Sequence, residues 1–258
     1  MIAATGTYTT LRHNLRGRSP RFIATQRSAQ FQREAARRVL AGYDTKLARL
    51  KAESPCQGAY YYASLVPSWI GREPNAEPNA LKYLRDGEAH INKWPKHFLR
   101  YMTSVKKGYE LGVGPGFLLR YLIDVEGADM RGCDLDPAKN LIFRDLRDEL
   151  GLAHRVDVHA VKSGQPIPVP EGCDSVFGFW TVFTETWSLS DHAWFLDHCR
   201  EHLIGEKRVF MLFNSRGYDD HPEIQDYYIR RGAEFPYLAN PAANMHPRDR
   251  NAFCILRL

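Results

Sequence analysis

The stretch Tyr109-Glu110-Leu111-Gly112-Val113-Gly114-Pro115-Gly116-Phe117 decides how the rest of the chain is read. A short strand over 108–111 runs into it, and helical periodicity leaves it over 116–125. Glycines in such a turn accept positive φ and let the backbone come close to a ligand. The helix that starts behind them offers free N–H groups and the positive end of its dipole. A dinucleotide turn of the form Gly-x-Gly-x-x-Gly would need a glycine at position 117, where Phe117 stands. A phosphate loop is excluded because no Gly-Lys-Ser/Thr follows. The spacing present is Glu110-x-Gly112-x-Gly114-x-Gly116.

Downstream of this turn, strand and helix alternate. Strands are expected at 130–134, 155–161, 175–180 and 208–214, with a strand-like end at 252–258. Helices are expected at 137–150, 190–203 and 222–232. That rhythm predicts an α/β fold built on a doubly wound, mostly parallel sheet with right-handed crossovers. No internal repeat or low-complexity tract interrupts it.

Upstream, the character differs. Residues 1–108 hold 19 Lys and Arg against 7 Asp and Glu, whereas 109–258 hold 16 against 23. A helix is predicted over 19–51, with Phe22, Ile23, Phe31, Ala35, Val39, Leu40, Tyr43, Leu47 and Leu50 at three- and four-residue steps. Pro55, Pro67, Gly71, Pro74 and Pro78 break any long helix over 53–80, where Tyr60, Tyr61, Tyr62 and Trp69 also lie. Helical spacing resumes over 81–105, with Trp94, Phe98, Leu99 and Met102 on one buried face. The basic front fits a solvated helical face, an anionic partner or nucleic acid. The Arg-, Ser- and Thr-rich first thirty residues also have the composition of an organelle transit segment.

The 258 residues are 44% hydrophobic and 25% charged, which excludes a wholly disordered or fibrous chain. No run approaches the roughly 18 apolar residues of a membrane span. Cys56, Cys133, Cys173, Cys199 and Cys254 are odd in number and contain no Cys-x-x-Cys pair. Reduced thiols in a cytoplasmic setting fit better than a disulfide framework or a zinc site. His192 and His198, six residues apart, lie on different helix faces, so no metal is expected.

The turn resembles the first motif of the class I S-adenosylmethionine-dependent methyltransferases. A second segment, Gly132-Cys133-Asp134-Leu135-Asp136-Pro137, is similar to that family's second motif, with Asp134 20 residues beyond Gly114. Asp174–Trp180, after Ile167-Pro168-Val169-Pro170, looks like its fourth strand, and Arg208–Asn214 like its fifth. The resemblance covers 109–258 and implies a Rossmann-like methyltransferase fold with a seven-stranded sheet, preceded by a helical extension. It implies S-adenosyl-L-methionine as cofactor, with Glu110, Gly112, Gly114 and Gly116 around the methionine part. Asp134 would accept hydrogen bonds from both ribose hydroxyls, Leu135 would pack on adenine, and Trp180 would add to the pocket. The plainer alternatives are a tight connection for the turn and a helix cap for Asp134. The family often has an acidic residue after strand three to meet the adenine amino group. Ala160-Val161-Lys162-Ser163 lacks one, and Asp157 comes too early unless the strand is short.

Methyl transfer from a sulfonium is an in-line displacement, and an oxygen acceptor must also lose a proton. The acceptor side lies at the carboxyl ends of strands four and five. Gly178-Phe179-Trp180-Thr181-Val182-Phe183 contains neither the Pro-Pro of amino-directed base and glutamine methyltransferases nor a Pro-Cys nucleophile. Glu185, Asp191 and His192 are the candidates for a general base, although Asp191 could simply cap the following helix. Phe179, Trp180, Phe183 and Trp187 could line the acceptor pocket, and Asn214 and Tyr218 could orient the acceptor. Phe183–Asn214 is loosely similar to enzymes that modify sugars and surface polysaccharides.

The reading is therefore an enzyme in two parts. Residues 1–106 form a basic helical extension or lid, and residues 107–258 form the cofactor-binding domain. The activity expected is methylation of a hydroxyl on a small molecule or glycan. An RNA methyltransferase with a basic arm and a non-catalytic cofactor-binding module are the alternatives. An aminopropyl transferase is weaker, because no acidic polyamine pocket is evident.

Overall fold

The structure is a computed structural model, and it describes residues 18–53, 87–135, 141–179, 187–213, 222–237 and 253–258. Two helices come first: α1, Pro20–Glu53, and α2, Gly87–Lys93. Then follow β1 (Lys107–Leu111), α3 (Phe117–Glu126), β2 (Asp129–Asp134), α4 (Leu141–Glu149) and β3 (Val156–Val158). The second half contains β4 (Ser175–Phe179), α5 (Leu189–His202), β5 (Arg208–Leu212), α6 (Pro222–Arg230) and β6 (Phe253–Arg257).

The sheet order is β3-β2-β1-β4-β5-β6, with β6 alone antiparallel. The chain steps from β1 out to β3 in one direction and from β4 to β5 in the other. Right-handed crossovers therefore place α3 and α4 on one face and α5 on the opposite face, with α6 against α5. β4 and β5 are buried along their whole length, as parallel central strands covered on both faces must be. Phe177 and Phe210 stack across them at 4.9 Å. Six strands, not the expected seven, form the sheet among the described residues. At the far edge of β6 a single antiparallel bridge, Glu234 with Ile255, stands where a further strand would pair.

The extension belongs to the same packed body. α1 lies across α3 and α4, burying Ala29, Ala35, Ala36, Val39 and Tyr43. Phe22, expected on the buried face, is instead exposed, with the Arg18 guanidinium 5.4 Å above its ring. Arg21 pairs with Glu126 at 2.6 Å and donates to the Leu99 carbonyl, and Arg38 pairs with Glu149 at 2.7 Å. Such exposed pairs contribute little energy, so burial of the apolar stripe holds the helix.

The helix expected over 81–105 is broken. After α2 the backbone forms a π turn, Trp94–Phe98, and a 3-10 turn, Leu99–Tyr101. Pro95 has no N–H to give the α-helical ladder, which shifts the pairing in the following turn. The anticipated face still turns inward, with Trp94, Phe98, Leu99 and Met102 all buried. β3 is also shorter than expected, because Val158 at the sheet edge is mostly exposed.

Gly132 faces Glu110 across the β1–β2 ladder, and a methyl group there would sit 2.4 Å from the Glu110 carbonyl oxygen and from Val113 Cγ2. The oxygen is backbone and cannot yield. Gly132→Ala should therefore cost about 3 kcal/mol or more, at the upper end for overpacking. Urea unfolding would measure this, and an unchanged midpoint would contradict the close approach of the two strands.

Candidate cofactor and acceptor cleft

The glycine turn is built as its sequence demands. Gly112, Gly114 and Gly116 have φ of 70°, 54° and 84°, a region closed to most side chains. The N–H groups of Gly112 and Val113 both donate to the Cys133 carbonyl, at 2.8 and 3.1 Å, which pins the turn onto the end of β2. Gly116 is the N-cap of α3. A Cβ on it would meet Leu152 Cδ1 at 2.7 Å, so its absence lets the loop after α4 press against the turn.

A cleft of about 290 Å³ opens above this turn, at the carboxyl ends of the strands. Glu110, Gly112, Gly114, Asp134 and Leu135 line it together, as the sequence predicts for five of the seven cofactor positions. Gly116 does not reach the cleft and serves the packing beneath it. Trp180 lies outside the described residues, as does the base candidate Glu185.

Two carboxyl groups define the polar side of the cleft. Glu110 is 4% exposed, and its Oε2 is buried with no hydrogen-bond partner. Burial first, and the nearby Asp134 charge second, push its carboxyl well above the usual range. Asp134 is also pushed up by burial, against the opposing pull of Arg147 and of two backbone N–H groups. Its Oδ2 accepts from the Gly114 N–H at 3.0 Å and from the Arg147 guanidinium at 2.8 Å, and its Oδ1 accepts from the Leu135 N–H at 2.8 Å. A carboxylate has about four acceptor sites. Three are filled, and the open side of Oδ1 is the acceptor position that remains.

The apolar side consists of Leu135, Phe143, Val161 and Val113, with Phe117 and Leu118 from α3. Leu135 is 53% exposed, a large apolar side chain left uncovered at the cleft mouth. His159, past the end of β3, lines the same wall with a buried Nε2 that has no partner. Asp157 lies within β3 and lines a separate hollow with Arg144 and Arg147. The extension closes the cleft: His90 and Lys93 of α2, with Trp94, form a wall, and the Trp94 ring lies 5.2 Å from Phe179 at the end of β4.

The two described base candidates are elsewhere. Asp191 closes a capping box with Ser188 at the start of α5, accepting from the Ser188 N–H at 2.8 Å and also from the Ser163 hydroxyl. Those bonds, Ser163 foremost, hold its carboxyl below the ordinary value, which makes it a poor proton acceptor. His192 is fully buried among Trp187, Phe213 and Tyr228, its Nδ1 3.2 Å from the Tyr228 hydroxyl. Burial pushes its pKa down to about 4, so it is neutral at physiological pH, and it does not line the cleft. Among the described residues, Asp191 thus serves as a helix cap and His192 as a core side chain.

His90, Lys93, Val161, His159 and Arg147 were not singled out by sequence reasoning. The helical spacing of His90, Lys93 and Trp94 was a usable signal, but nothing local said what that face would meet. Among the described residues, no group of three or more metal-ligating side chains is present. None of the described helices is long and apolar enough to cross a membrane.

The two motif-bearing turns lie at the carboxyl ends of β1 and β2, which are neighbours in the order β3-β2-β1-β4-β5-β6. Solved structures similar to this chain include the mitomycin 7-O-methyltransferase, at 15% identity and a TM-score of 0.46 over 70% of this chain and 57% of that one. An O-methyltransferase family protein from Burkholderia thailandensis matches at 12% identity and 0.45, over 69% of this chain and 57% of that one. The methyltransferase domain of bacterial CtHen1-CN matches at 12% and 0.44, over 65% of this chain and all of that domain. The match thus spans little more than half the length of the first two. No protein-family model matches the sequence, and no curated protein matches it. At such identities the acceptor and the site residues have to be argued from this chain's own geometry.

Glu110 yields a prediction with a definite sign. Its pKa in the folded protein lies above its unfolded value, so the folded state binds more protons in that interval. Stability is therefore lost as pH rises from the unfolded pKa through the folded one. Glu110→Gln should raise Tm at neutral pH by about 2–4 °C per kcal/mol recovered. The gain should shrink toward about pH 4, near the unfolded pKa. Thermal unfolding across pH checks this, and a variant less stable than the parent at neutral pH would contradict it.

Proposed function

We propose that the protein is an S-adenosylmethionine-dependent methyltransferase acting on a hydroxyl of a small molecule or glycan. The observation that carries this reading is the buried, unpartnered Oε2 of Glu110 at the rim of a positive-φ glycine turn. An uncompensated buried carboxyl is costly, and a ligand bearing a cation removes the cost. A nicotinamide dinucleotide offers a pyrophosphate to that position, which the carboxyl would repel. The ammonium of a methionine moiety fits it.

The other residues suit the rest of that cofactor. Asp134 can accept from the ribose through Oδ1. Leu135, Phe143 and Val161 offer an apolar slot for the purine. Bound S-adenosylmethionine supplies an electrophilic methyl group on a sulfonium. The protein's own part is alignment, exclusion of water and removal of the acceptor's proton. Residues 1–106 act in this reading as a lid that completes the acceptor side through Trp94, beside Phe179. Of the imidazoles lining the cleft, His90 shares that wall and is the base we favour, in place of His192.

The small acceptor is favoured over RNA by the use made of the extension's arginines. Arg21 and Arg38 pair with carboxylates of α3 and α4, and Arg33 donates to Asn92, so three arginines of the helix are engaged within the protein.

Calorimetry with S-adenosylhomocysteine tests the reading. The protein should bind it, and Asp134→Ala should reduce affinity by at least about a hundredfold, on the scale of losing a charge-assisted contact and its orientation. Unchanged affinity would reject the site. Transfer of labelled methyl to a panel of hydroxyl acceptors, reduced more than about tenfold in kcat by His90→Ala, would exclude a non-catalytic binding module.

A further inference from the structure

Arg147 lies in α4 and would pass, from sequence alone, for a solvated helix arginine. Its side chain is only 6% exposed. The stem runs beneath the glycine turn, with Cγ 3.5 Å from where a Cβ of Gly116 would stand. The head donates to Asp134 Oδ2 at 2.8 Å, the same oxygen that takes the Gly114 N–H. The Arg147 carbonyl accepts from the Leu152 N–H at 2.8 Å, and Leu152 packs on Gly116. One side chain thus touches both cofactor-binding turns.

We propose that Arg147 is a positioning residue: its guanidinium saturates Asp134 Oδ2 and aims Oδ1, the remaining open face of that carboxylate, at the ribose. The inference rests on the reading of Asp134 as the ribose ligand. It adds the device that sets this carboxylate's orientation and charge. A buried carboxylate turns neutral unless it is paired. Glu110 on β1, Cys133 on β2, Asp157 within β3, His159 past its end, and His90 and Lys93 across the cleft on α2 are the other titratable groups around it. Arg147 is the one cation among the described residues in direct contact with it. A guanidinium stays charged at every pH at which the protein is folded, so the pairing persists where a lysine or histidine could fail.

The test uses 5′-methylthioadenosine, which carries the adenosine part without the amino acid and so avoids the Glu110 subsite. Its affinity for the full chain would be measured by calorimetry at about pH 6 and about pH 8. Arg147→Met should weaken binding about tenfold or more at the lower pH. The loss should shrink at the higher pH, which favours the ionised carboxylate that the guanidinium otherwise stabilises. Arg147→Lys should keep most of the affinity. In an Asp134→Asn background, Arg147→Met should have little further effect, because the two residues act as one unit. A loss that is equal at both pH values and fully additive with Asp134→Asn would mean a purely structural role and overturn the proposal, as would no loss at all. If Arg147→Met fails to fold, Arg147→Gln carries the same pH comparison. Absence of binding by the parent protein to both 5′-methylthioadenosine and S-adenosylhomocysteine would instead sink the cofactor reading itself.

Discussion

The structure depends on a close approach of backbone to backbone at the carboxyl end of β1 and β2. Gly132 lies under Glu110 with no room for a methyl group, and the turn after β1 folds over onto the Cys133 carbonyl. This brings the Gly114 N–H to 3.0 Å from the Asp134 carboxylate. Everything chemical in the cleft follows from that proximity. Two carboxyl groups from neighbouring strands are brought into one buried space, where the charge of Asp134 adds to burial in raising the cost of ionising Glu110. Arg147 offsets the charge of Asp134, and no described side chain does so for Glu110.

That asymmetry divides the labour of the site. Asp134 is finished by the protein: three donors hold it, and one acceptor face remains. Glu110 is left incomplete, a desolvated carboxyl whose Oε2 has no hydrogen-bond partner. Interactions of this kind lower stability in the free protein and return it on binding, a common arrangement at functional sites. The apolar slot beside them, with Leu135 uncovered at its mouth, gives the same cleft a flat hydrophobic end.

Much of this was legible in the sequence, and the reason is local. A glycine turn between a strand and a helix requires positive φ wherever it occurs, so Gly112, Gly114 and Gly116 announced its shape. The acidic residue 20 positions later announced its partner strand. Alternation of short apolar runs with amphipathic helices announced the doubly wound sheet. Where the reading failed, the deciding facts were not local. Asp191 and His192 looked suited to acid–base work because they sit after strand four beside aromatic residues. In the fold Asp191 closes a capping box with Ser188, the residue next to Trp187, and His192 is completely buried against Tyr228. Pro95 should have warned that the helix over 81–105 would not run straight. The shortness of β3 reflects its place at the sheet edge, which no window of sequence contains.

By itself the sequence determined the class of fold and the strand-turn-helix unit at its centre, because these follow from backbone conformations that particular residues permit. Only the tertiary structure set Leu152 against Gly116 beneath the turn. Only it placed α2 as a wall of the cleft and put Arg147 beneath the turn. Those outcomes depend on which helix faces meet across more than thirty residues of chain, and on where burial removes water from a charge. Residue spacing along one chain carries no measure of that.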